Sequence, residues 1–165
     1  MIVLCRIDDR LIHGQVVEGW VNFVKATGIF VADDRAAANA LQCTIMEMSA
    51  PSGLTVCIGR IEDICEKVRS SSSEKERIIL LFANPASAVR ALNAGIEFRE
   101  LNVGGMHYMA GKCKLLDVLA VDAADVQAFR ELVNRGVKVV IQTVPTERPL
   151  PIGKVLREFA TDQAV

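Results

Sequence analysis

Apolar residues follow two alternating rhythms along this chain. Short, nearly continuous apolar runs are followed by stretches whose apolar residues recur every three or four positions, the pattern of strands alternating with amphipathic helices. The run from Ile2 to Ile7 predicts a buried strand ending at Asp8-Asp9. Val16, Val17, Trp20, Val21 and Val24 then mark one face of a helix, with Gly28 as its stop. Ile29 to Ala32 predicts a second strand, and Asp33-Asp34 starts a helix that should bury Leu41, Ile45 and Met48 together before Pro51. Met46 and Met48 both read as core.

The alternation continues to the end. Leu54 to Ile58 predicts a strand, and Ile61, Ile64, Cys65 and Val68 a helix face. The serine-rich stretch from Ser70 to Lys75 reads as a surface loop. Ile78 to Phe82 is a strong strand, after which Asn84-Pro85 supplies a helix cap and a first-turn proline. That helix turns Val89 and Leu92 inward and ends at Gly95. Glu100 to Val103 predicts a strand broken by Gly104-Gly105, and Leu115 to Val121 another. Asp122 with Asp125 forms a capping-box pattern ahead of Val126, Phe129, Leu132 and Val133, and Gly136 closes that helix. Val137 to Ile141 is a last apolar strand, prolines 145, 149 and 151 make an extended turn, and Lys154 to Ala160 a short helix.

Strands this apolar need cover on both faces. The expected fold is α/β: one domain spanning residues 1–165, with an open, mostly parallel sheet flanked by helices on both faces. In such sheets ligands bind beyond the carboxyl ends of the strands, which singles out the loops starting at Asp8, Asp33, Ala83 and Gly104.

Composition narrows the function. A net charge of -1 over 165 residues gives no general attraction to nucleic acid or anionic lipid, so any anion must be held by local groups. The first residues are too short an apolar run and too acidic for a signal peptide, and no stretch is long enough to span a bilayer. The protein is expected in the cytoplasm. Five cysteines without a C-x-x-C pair suit a reduced compartment; Cys5, Cys57 and Cys65 read as core, and Cys113, between two lysines, is the one to test for reactivity. Two histidines without further ligand spacing give no metal site, and no cofactor is expected. Neither G-x-G-x-x-G nor a Walker A sequence follows a strand, which disfavours a nucleotide-binding domain.

The loop Asp8-Asp9-Arg10-Leu11-Ile12-His13-Gly14-Gln15 carries the candidate chemistry. His13 falls at a helix N-terminus, where unpaired N–H groups and the helix dipole favour an anion. An imidazole near neutral pH can act as a nucleophile, provided a carboxylate or carbonyl holds the proton on its other nitrogen; Asp9 is the candidate for that partner. Arg10 offers a planar fork of donors for a phosphate, Gly14 permits close approach, and the N–H groups near Gly14 and Gln15 complete a cradle. The alternative is a surface loop in which Asp9 and Arg10 pair with each other. Arg35, Gly104, Gly105 and His107 are candidates for the rim of the site; the two glycines could equally serve a turn.

The stretch Arg6-Ile7-Asp8-Asp9-Arg10-Leu11-Ile12-His13-Gly14-Gln15-Val16-Val17, with Trp20, resembles the N-terminal signature of the mannose/fructose/sorbose-family IIB proteins of the sugar phosphotransferase system. The likeness continues in Val31-Ala32-Asp33-Asp34, Met48-Ser49-Ala50-Pro51, Leu81-Phe82-Ala83-Asn84-Pro85, Glu100 to Met106 and Ile141-Gln142-Thr143-Val144-Pro145. It departs at Ala83, where the family often has a lysine. The resemblance implies a sheet with one antiparallel edge strand. It also implies a protein-phosphohistidine–sugar phosphotransferase in which His13 takes a phosphoryl group from a phospho-IIA protein, itself charged by HPr. The group then passes to a sugar held by the membrane subunits IIC and IID, placing the chain at the inner face of the membrane. A homodimer is compatible with the resemblance. The alternative function is a regulatory phosphoprotein that uses the same cycle without transport.

Overall fold

The structure is a computed structural model that describes residues 1–70 and 76–162, with the side chains of 158–162 left out. Most of the predicted surface loop from Ser70 to Lys75 therefore lies outside the described residues, although Ser70 itself closes a helix. Seven strands form one sheet in the order β3-β2-β4-β1-β5-β8-β9. They are β1 (Ile2–Asp8), β2 (Gly28–Ala32), β3 (Thr55–Gly59), β4 (Ile78–Phe82), β5 (Glu100–Gly105), β8 (Lys138–Ile141) and β9 (Leu150–Pro151). Every pairing is parallel except the edge pair β8–β9, which is antiparallel. The expected architecture, antiparallel edge included, is the one observed.

Period-two alternation divides the core between the two faces. Ile78, Leu80 and Phe82 of β4 join Phe30, Ala32, Cys5 and Ile7 under helices α3 (Ile61–Ser70), α4 (Pro85–Asn93), α5 (Ala123–Asn134) and α6 (Ile152–Asp162). Ile79, Leu81, Ile29 and Val31 face the other way, under a π-helix (Gln15–Val21) and Met46 of α2 (Ala40–Ser49). Caps set the helix starts: Asp33 Oδ1 accepts from Ala36 N (2.7 Å), opening the short α1 (Asp34–Ala37), and Asn84 Oδ1 accepts from Ser87 N (2.9 Å). The Asp122–Asp125 capping box is present at α5.

Several expectations are corrected. The helix after Asp33 is two helices, because Asn39 caps a new start at α2. Within α2 the buried residue is Met46, 3% exposed, whereas Leu41, Ile45 and Met48 lie exposed on the opposite side, Met48 at 81%. The apolar stripe was real but pointed outward. Val133 is likewise exposed beside the buried Val126, Phe129 and Leu132. The run Leu115 to Val121 is split between β6 (Cys113–Leu116) and β7 (Leu119–Val121), a separate antiparallel hairpin. The first helix ends before Lys25, which takes a positive φ of 51, and Gly28 belongs to β2. Cys57 is only partly buried, on the edge strand β3.

Gly104 and Gly105 continue β5 instead of breaking it. The reason for glycine at 104 is steric: a Cβ there would overlap the guanidinium of Arg6. The close approach at this strand end is thus made by a buried arginine of the neighbouring strand.

Candidate functional site

β1 lies in the middle of the sheet between β4 and β5, and its carboxyl end delivers the Asp8–Gln15 loop. Arg6 and Asp8 share one face of β1, two residues apart. Both are fully buried, and Arg6 Nη2 donates to Asp8 Oδ2 at 2.9 Å. The two terminal Arg6 nitrogens also donate to Gln142 O (3.0 Å), Thr143 O (3.1 Å) and Asn102 Oδ1, while its Nε is buried without a hydrogen-bond partner among the described residues. Trp20 of the π-helix covers the guanidinium at 5.2 Å and donates its Nε1–H to Thr143 O at 3.0 Å. Burial pulls the Arg6 guanidinium below its usual range, and Asp8 opposes that by favouring the charged form. Isolated in the core, an arginine charge would be untenable; three neutral acceptors and the Asp8 anion make it tolerable.

Asp8 is in turn the floor of the loop. Its Oδ1 accepts from Arg10 N and Arg10 Nε, both at 3.3 Å. Arg10 Nη2 then donates to Gln15 Oε1 at 2.8 Å, at the first residue of the π-helix. His13 sits just ahead of that helix, its Nε2 3.6 Å from Asp8 Oδ2 and its Nδ1 2.9 Å from the carbonyl of Leu11. A carbonyl only accepts, so Nδ1 carries the proton in this pose. Leu11 reaches this position by adopting a positive φ of 57 while its side chain stays buried, an arrangement that costs about 1–2 kcal/mol for a non-glycine residue. His13 Nε2 is buried and has no hydrogen-bond partner among the described residues.

Asp9, expected to hold the His13 ring, is occupied elsewhere. Its carboxylate accepts from His107 N (2.6 Å) and from His107 Nδ1 (2.7 Å), and its own N–H bonds Gly105 O at 3.1 Å. The proton-holding partner of His13 is the Leu11 carbonyl, a backbone group that residue types could not reveal. Gly14 stands at the helix start with a right-handed φ of -49, and a Cβ there would meet nothing within 4 Å beyond its chain neighbours. A Cβ at Gly105 would lie 3.5 Å from His107 Cε1, 3.7 Å from Asp8 Oδ1 and 3.8 Å from Arg10 Nη2, so three site groups converge over this glycine.

Beside the loop runs a cleft of about 750 Å³ lined by Asp9, Leu11, His107, Arg35 of α1 and the first turn of α4. Arg35 is therefore on the same edge as Asp9, in the same cleft. No group of residues among those described could hold a metal ion, and no described helix is long and apolar enough to cross a membrane. The residues missed by sequence reasoning are Arg6, Asp8, Asn102 and the Gln142-Thr143 backbone. Their signal was Arg6, a charged residue inside the otherwise apolar run from Ile2 to Ile7, which demands a buried partner.

Residues 2–164 match the family described as PTS system sorbose subfamily IIB component. The chain is 36% identical over 155 residues to the N-acetylgalactosamine-specific phosphotransferase enzyme IIB component 2 of Escherichia coli K12, covering 94% of this chain and 98% of that one. It is 35% identical to the mannose-specific EIIAB component of the same organism across 91% of this chain, but spans only 46% of that longer protein. Its fold superimposes on the IIBSor domain of the sorbose permease of Klebsiella pneumoniae with a TM-score of 0.91, at 32% identity, covering 96% and 97% of the two chains. This open α/β sheet is thus the fold of a class of phosphotransferase-system components. The chain belongs to the mannose/fructose/sorbose family of phosphotransferase-system IIB components, the sugar-specific components of a transport system.

Proposed function

We propose that this chain is a phosphocarrier that accepts a phosphoryl group on His13 from a phospho-IIA protein and passes it to a sugar presented by membrane subunits IIC and IID. The observation that carries the reading is the convergence at one strand end of a histidine, a half-exposed arginine and a helix N-terminus, over a buried Arg6–Asp8 pair. A relative named EIIAB supports a IIA-type donor. The overall activity is that of a protein-phosphohistidine–sugar phosphotransferase, exercised in the cytoplasm at the inner face of the membrane.

Phosphoryl transfer passes through a loose transition state, so the protein's task is to position the nucleophile and balance charge. Arg10 stands where it can turn from Gln15 onto a phosphoryl oxygen, and the N–H groups of Gly14 and Gln15 lie at the helix start. Asp8 fixes Arg10 from below and faces the His13 ring. For a nitrogen to meet a donor, the His13 ring must turn out of the observed pose, since Nε2 is buried against Asp8 and Nδ1 is held by Leu11.

The second half of the reaction is tested by adding the phosphorylated protein to vesicles containing IIC and IID with a panel of hexoses and amino sugars. Release of one sugar phosphate per phosphoprotein supports the transport reading. A phosphoprotein that no vesicle-bound sugar discharges contradicts it.

A further inference from the structure

The Asp9–His107 pair is not used by the mechanism above, yet its geometry is specific. Asp9 grips His107 twice, at the backbone N–H and at Nδ1. An ionised carboxylate only accepts, so Nδ1 carries a proton and the ring is fixed in orientation. The ring remains 50% exposed, and Nε2 has no hydrogen-bond partner among the described residues. Its Cε1 edge shares the space over Gly105 with Arg10 Nη2.

Charge decides what such a ring could do. The loop already balances Arg6 and Arg10 against Asp8 and Asp9, so an arriving phosphoryl dianion meets no net positive charge from these four groups. A His107 imidazolium held by Asp9 would supply one. We propose that His107 is a second phosphoryl-binding residue, which donates its Nε2–H to the phosphoryl group on His13 while Asp9 holds its other N–H. The proposal rests on the phosphocarrier reading. No bond from His107 to phosphorus forms and nothing is oxidised; the phosphoryl group stays bonded to His13, and the Nε2 proton is exchanged with solvent.

The test uses the full chain, nitrogen-15 labelled at histidine and loaded by a phospho-IIA protein at neutral pH. The expected spectrum shows both His107 ring nitrogens protonated in the loaded protein, with the phosphorus resonance of phospho-His13 shifted in His107→Gln. His107→Ala should load about tenfold more slowly, the effect of one charge-assisted hydrogen bond, and His107→Gln, a neutral donor, should recover part of it. A bare Nε2 in the loaded wild type overturns the proposal, as does loading of His107→Ala within twofold of wild type. Because the spectrum is read on the wild type, a poorly folded variant does not blunt the test. A wild type that never loads removes the phosphocarrier reading and this inference together; a loaded protein with a bare Nε2 removes this inference alone.

Discussion

Asp8 Oδ2 lies 3.6 Å from His13 Nε2, and the Asp8 side chain is wholly buried. The same carboxylate neutralises Arg6 beneath it and holds Arg10 beside it, so one anion links the strand, the loop and the histidine. Replacing it by the neutral isostere Asp8→Asn leaves the Arg6 charge uncompensated in the core, which should cost about 3–5 kcal/mol. Asp9→Asn, at a half-open position, should cost only about 1–2 kcal/mol through its two hydrogen bonds to His107. Urea unfolding of the two variants measures the contrast; equal losses would mean that the buried pair is not the foundation of the loop.

Gly104 and Gly105 are neighbours with opposite tolerance. A Cβ at 104 would overlap Arg6, whereas at 105 the nearest atom is 3.5 Å away. Gly104→Ala should lose about 1–3 kcal/mol or more, as overpacking does. Gly105→Ala should lose about 1 kcal/mol or less. Thermal melts of both variants read this directly.

Arg10→Ala should slow phosphoryl transfer onto His13 by about tenfold or more, and Arg10→Lys should recover part of the rate, since an ammonium keeps the charge without the planar fork. Rapid-quench loading from phospho-IIA gives the three rates. Equal rates would remove Arg10 from the phosphate cradle.

Burial raises the Cys5 thiol far above its ordinary range, and it raises Cys65 as well. Both should stay protonated and unlabelled by a thiol reagent in the native protein at pH 8, while the partly exposed Cys43, Cys57 and Cys113 react first. The linkage has a definite sign. Their contribution to stability is present below the ordinary thiol range and falls as pH rises through it, because the unfolded thiols ionise first. Mass mapping of labelled sites checks the order.

Much of the architecture was legible because parallel strands buried on both faces write continuous apolar runs, as at Ile78–Phe82, and because caps such as Asn84 and Asp122 announce helix starts. The direction of an apolar stripe was not. Leu41, Ile45 and Met48 share a face at helical spacing, but only tertiary packing determines that Met46 is the residue pressed onto the sheet. Met46→Ala should therefore cost about 2–5 kcal/mol, and Met48→Lys within about 0.5 kcal/mol of zero. At the site, His13 and Arg10 were visible as residue types on a loop. The partner of the ring was a backbone carbonyl at Leu11, and the residue demanding Gly104 was Arg6 on another strand; neither is encoded in local spacing.

His13 is the proposed carrier of the phosphoryl group. Intact-mass analysis of the chain, after incubation with phosphoenolpyruvate, Enzyme I, HPr and a cognate IIA protein, tests it beside a His13→Ala control. One acid-labile phosphoryl group is expected on the wild type and none on the control. A wild type left unmodified by a demonstrably phosphorylated IIA, or a control that still gains the group, would contradict it.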